Sequence, residues 1–221
     1  MQTFATPAPI SAVIDIAAGN LRFIAADRAD TTVEVLPATA SDRDAKAAEQ
    51  VTVAFEDGVL RITSDPAQHK ALGHPGSVEV TVQLPAGSQV DAKAASSELR
   101  GVGRLGAVTF DGAHGTVKLD ETAGAKLTLM AGDVTVGRLG GPAQITTQKG
   151  TIEIAEAVSG SFELRTEHGD ITLTAAQDAS ATLDAGTGYG RITNALKNAA
   201  ATPTLEIKAT TSYGNITARS L

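Results

Sequence analysis

Apolar and polar residues alternate with period two along most of the chain, and from about residue 86 the alternation restarts at a recurring glycine. The glycines are Gly115, Gly132, Gly150, Gly169, Gly190 and Gly214, spaced by 17, 18, 19, 21 and 24 residues. Two positions after each comes Val117, Val134, Ile152, Ile171, Ile192 or Ile216. Five before lie Phe110, Leu127, Ile145, Leu164, Ala185 and Ala209, and seven before lie Val108, Ala125, Ala143, Phe162, Leu183 and Ile207. Period-two alternation predicts strands with one buried face. The glycine predicts a turn whose backbone needs positive φ or lies against its neighbour. No helical pattern separates the strands, so βαβ units are excluded. A short strand pair cannot bury its own apolar face, but like units stacked at the strand spacing bury a continuous column. The expected fold is therefore all-β, a single-domain β-solenoid (a parallel β-helix) with coils of ~17–24 residues. Right-handed coiling is expected, because parallel crossovers are overwhelmingly right-handed.

Ser97, eighteen before Gly115, takes the glycine's place one unit earlier. Three before the glycine, at an inward position, stand Thr147, Thr166, Thr187 and Thr211, whose hydroxyls can reach the turn backbone. The outward column three after the glycine (Lys118, Thr135, Glu153, Thr172, Thr193, Thr217) mixes threonine with charge. That mixture reads as surface rather than as a hydroxyl array for ice or sugar.

The first third is less regular. "IDIAAGNLRF" (14–23), "TVEVLP" (32–37), "VTVAFEDGVLRIT" (51–63) and "SVEVTVQLPAG" (77–87) predict strands. Residues 38–50 read as a polar excursion with a short helical turn, and 64–76 as a loop. One domain spans 1–221, irregular over 1–85 and regular over 86–221, with antiparallel hairpins expected to cap its N-terminal end.

Composition narrows the task. With no cysteine there are neither disulfides nor thiolate sites, and 3% aromatic content suits thin, repeated core layers. A net charge of −7 argues against nucleic acid and anionic lipid as partners. No secretory pattern opens the sequence and no run approaches a membrane span, so a cytoplasmic location is expected.

Candidate chemistry is sparse. His114 and His168 share the position before the glycine but lie three units apart, roughly 14 Å along a stack. His69 and His74 stand in a Pro/Gly loop and read as solvated. The residues after the glycine (Thr116, Asp133, Thr151, Asp170, Arg191, Asn215) do not make a calcium ladder, which needs about 6–8 oxygens. Glu153, Glu156, Glu163, Glu167 and Asp170 could pair as glycosidase acids, yet no long loop walls a cleft beside them. "GRLGA" (103–107) and "GRLGG" (137–141) lack the following helix of a phosphate loop and read as turns. No G-x-S-x-G or G-K-[ST] is present. The chain therefore reads as a non-enzyme without cofactor or metal.

Tyr189 and Tyr213 precede the turn glycines of successive units and should stack, with Arg191 and Asn215 beside them. They either cover the edge of the core or form a contact surface, since tyrosine and arginine are favoured at interfaces. The last strand predicted, "GNITARSL", carries no cap. An uncapped strand is a template for another chain, so a partner protein or a homo-oligomer through the solenoid ends is expected.

"VEVTVQLPAG", the repeated "GDV/GDI" turns and the closing "SYGNITARS" resemble a bacterial domain family of unknown function known as putative adhesins, in particular its actinobacterial members. "IDIAAGNLRFIAADRADTTVEVLP" and "AAEQ" resemble the N-terminal region of that family, and the resemblance covers essentially the whole chain. It implies an adhesin-like β-solenoid with no known catalytic residues and no established ligand. A structural or interaction scaffold is the expected function, with a surface adhesin or carbohydrate-binding module as the alternative.

Overall fold

The computed structural model describes residues 1–64, 76–198 and 203–221. His69 and His74 lie outside the described residues. Strands β10 (Ala143–Lys149) and β11 (Ile152–Ala157) form one coil of a stack, joined at Gly150. β10 lies parallel to the second half of β8 (Val117–Ala131) on one side and to β12 (Gly160–His168) on the other. β11 lies between β9 (Val134–Leu139) and β13 (Ile171–Ala175). The registers match the sequence columns: Ile145 sits between Leu127 and Leu164, and Ile152 between Val134 and Ile171. The inward side chains form one continuous apolar core, with Phe23, Phe110 and Phe162 as its largest fully buried members.

Glycine sets how closely the coils approach. Gly150 has φ +151°, and a Cβ built on it would fall 2.0 Å from the carbonyl oxygen of Gly132. No side chain fits there without separating the layers. The inward threonines tie the same corner: Thr166 donates its hydroxyl to the Gly150 carbonyl at 3.0 Å, and Thr147 to the Gly132 carbonyl at 3.4 Å. This is the role expected of that column, and it satisfies buried hydroxyls that would otherwise cost stability.

The spatial order of coils departs from chain order at both ends. β7 (Gln89–His114) runs through two coils, and its first half does not begin the stack. Instead β2 (Ser11–Ala26), a full coil long, lies between it and the pair β5 (Val59–Thr63) and β6 (Val78–Pro85). At the far end β16 (Leu205–Tyr213) inserts between β12 and β14 (Ala181–Tyr189). β17 (Ile216–Ser220) likewise inserts between β13 and β15 (Ile192–Ala195). The expectation of an uncapped "GNITARSL" strand at the end of the stack is therefore corrected. That strand is paired on both sides, and the outermost layer is β14–β15.

The two ends differ. At the N-terminal end, antiparallel strands replace the parallel stack, as expected of a cap. β4 (Thr52–Glu56) folds over β5, β3 (Asp30–Pro37) over β6, and β1 (Gln2–Ala5) over β3. Phe4 of β1 meets Phe55 of β4 with ring centroids 5.3 Å apart. The polar excursion forms a helix, α1 (Asp42–Glu49), with Ser41 as N-cap. The Asp44 carboxylate accepts from the Ser77 N–H at 2.9 Å and the Thr39 hydroxyl at 2.5 Å, fastening the helix to the start of β6. These bonds, the Ser77 N–H first, hold the Asp44 carboxyl below its ordinary pKa. At the other end, among the described residues, no strand pairs with the outer edges of β14 and β15.

Candidate functional site

In-register parallel strands place equivalent side chains ~4.8 Å apart, so a column in sequence becomes a ladder in space. The ladder before the glycines runs His114, Ala131, Lys149, His168, Tyr213, Tyr189. His114 and His168 are thus three layers apart. The last three rings form a stack: His168 and Tyr213 have centroids 4.9 Å apart at 5°, Tyr213 and Tyr189 5.0 Å apart at 4°. The strand spacing sets these separations, which lie within the range of stacked aromatic pairs. Tyr213 is covered on both faces, and Tyr189, 71% exposed, keeps one face free at the bare end.

Across the glycines a second ladder joins the layers through side-chain acceptors. Asp170 Oδ1 accepts from the Asn215 N–H at 2.7 Å, and Asn215 Oδ1 accepts from the Arg191 N–H at 2.9 Å. Asp133 does the same for the Thr151 N–H at 2.7 Å. Asp170 is thereby engaged in the backbone. Beside this ladder is a shallow depression of about 510 Å³ lined by Asp170, Thr172, Arg191, Thr193, Asn215 and Thr217. Insertion of the last coil places Thr217 between Thr172 and Thr193, so three hydroxyls stand in consecutive layers.

All four residues singled out from the sequence, Tyr189, Arg191, Tyr213 and Asn215, come together in the last two layers. His168 was missed as the third ring, although its position before Gly169 was the available signal. The candidate acids do not converge. Glu153 and Glu156 lie on β11, Glu163 and Glu167 on β12, and these strands belong to different faces of the stack. Glu156 pairs with Arg138. The two "GRLG" segments, read from the sequence as turns, are instead largely strand: 103–107 lies within β7 and 137–139 ends β9, because Leu105 and Leu139 are buried in the core.

The inner end of the outermost layer is apolar and incompletely covered. Ile192 points inward by register with the buried Ile216, yet is 42% exposed, and Leu183 and Ala185 are half-buried. Equivalent residues one layer in are buried: Ile207, Ala209 and Ile216.

No curated protein matches the chain. A structure of a putative adhesin from Bacteroides fragilis NCTC 9343 is similar over 98% of this chain and 95% of its own, at 15% identity and a TM-score of 0.58. A putative adhesin from Parabacteroides distasonis ATCC 8503 covers 100% of this chain and 95% of its own at 16% identity, with a TM-score of 0.42. The first likeness establishes a shared fold. The model of the family described as Toastrack DUF4097 matches residues 11–220. Reaching from the first coil to the last strand, that match includes every layer of the stack, and the chain belongs to the Toastrack family DUF4097.

Proposed function

We propose that this chain is a non-enzymatic scaffold of the adhesin type, a rigid stack that holds a protein partner or another copy of itself at its bare end. The observation that carries this reading is the contrast between the ends. One is closed by antiparallel strands and the Phe4–Phe55 contact. The other, among the described residues, leaves the inward side chains of a core layer uncovered beside two parallel strand edges. Unpaired edges and exposed core residues favour association. Tyr189, Arg191, Tyr213 and Asn215 border this end and supply residue types suited to an interface. A carbohydrate platform is less well supported, because sugars pack on free ring faces and the stack offers a single one, that of Tyr189.

Photo-crosslinking in the native cell tests the reading. A photoreactive side chain at position 189 or 213 should give discrete protein adducts, while one at Lys118, on the outward side of the stack, should not. Absence of adducts at both end positions would overturn it.

A further inference from the structure

Resting on the scaffold reading, we propose that the bare end is a homodimer interface. Two copies meet layer to layer across β14 and β15, about a two-fold axis that passes through the turn at Gly190 and exchanges the two strands, and growth stops at two. The occupant of this end has to supply two strands at once, one for each open edge, with apolar residues between them for Leu183, Ala185 and Ile192. A single extended peptide covers one edge only. Another coil end does both, and among the described residues the chain has one such end, because at the opposite end β1, β3 and β4 run antiparallel across the stack and only the outer edges of β1 and β4 stay unpaired. Head-to-tail stacking is blocked for the same reason, so self-association pairs like with like. An interface of that kind is isologous and closes.

Charge favours that axis. Around β14 and its neighbour β16 stand Asp184, Glu206 and Lys208, a net acidic set. Around β15 and β17 stand Arg191 and Arg219, both basic. The stated axis lays the β14 side of each copy over the β15 side of the other, acid on base. It also passes through the turn at Gly190, bringing the free ring faces of the two Tyr189 side chains to one edge of the interface. The layer is roughly 30 Å long by ~20 Å across, hence ~600 Å² per copy, the low end for a specific interface. Association in the micromolar range is expected.

Sedimentation equilibrium of the full chain from ~1 to ~500 µM spans that range. The mass should rise from one copy to two and level off. Mass fixed at one copy, or rising beyond two, overturns the proposal. Ile192→Lys should weaken association at least about tenfold, the scale of losing one buried contact. Should that variant only unravel the last layer, the cysteine-free chain offers a second readout. Tyr189→Cys should oxidise to a covalent dimer and Glu56→Cys, at the capped end, should not; equal crosslinking of the two overturns the proposal. A chain that stays monomeric while position 189 still captures another protein in cells sinks the dimer and leaves the scaffold reading standing. Capture of nothing removes both.

Discussion

Thr211 donates its hydroxyl to the carbonyl of Gly169 at 3.0 Å, across 42 positions of sequence. Thr187, earlier in the chain, donates instead to Gly214 at 2.9 Å. The bond that elsewhere joins successive coils therefore follows spatial order, not chain order, and it holds the inserted coil on both sides. Thr166→Val removes the hydroxyl and keeps the shape. A loss of ~1 kcal/mol is expected from urea unfolding, the net worth of one buried hydrogen bond. An unchanged midpoint would show that the ladder adds nothing to close packing.

Glycine substitutions should separate steric need from habit. Gly150→Ala places a methyl on the Gly132 carbonyl at a positive φ, and ~3 kcal/mol or more should be lost. Gly58, in the hairpin between β4 and β5 at φ +77°, has no atom within 4 Å of a built Cβ. Only conformational strain applies there, so Gly58→Ala should cost ~1 kcal/mol. Equal losses would contradict a close-approach role for the column.

The clasp at Asp44 predicts an acid response. Its carboxyl is lowered from 3.8 in the folded protein, so the unfolded chain binds the proton more readily. The contribution is complete above the unfolded value near 3.8 and is lost as pH falls through the lower folded one. Asp44→Asn should abolish this part of the pH dependence. The comparison is the denaturant midpoint of the two proteins between about pH 6 and pH 2.

The chain has two tyrosines and no tryptophan, and both tyrosines are in the ring stack. Its near-ultraviolet tyrosine signal thus reports on the last two layers alone. Those layers have an uncovered edge and should open at lower denaturant than the sheet as a whole. Coincident transitions by near- and far-ultraviolet circular dichroism would mean that the end is as firmly held as the middle.

Within a coil, much was legible in the sequence. Parity assigned Ile145, Ile152 and Phe162 to the core, the glycines to the corners and the threonines to the turn carbonyls, because each is a local consequence of strand geometry. Layer order was not legible. Coils 160–175, 181–195 and 205–220 carry nearly interchangeable phrases, and a repeat that fits every neighbour cannot say which neighbour it has. Tyr189 beside Tyr213 was foreseeable, since the two are adjacent in either order. That Tyr213 lies inside and Tyr189 outside depends on the insertion. His168 enters the stack as a ring, a role that metal-ligand spacing does not reveal.

The insertion at the far end also separates the order of synthesis from the order of assembly. Residues 181–195 are made before 205–220, yet the outermost layer has no seat until the later segment is in place beneath it. Translation can therefore complete the stack only as far as β13. The outer coil reaches its native neighbour only when the strands that separate it from the rest have been made. Deleting 205–220 would for the same reason remove one layer and leave the other without its native neighbour.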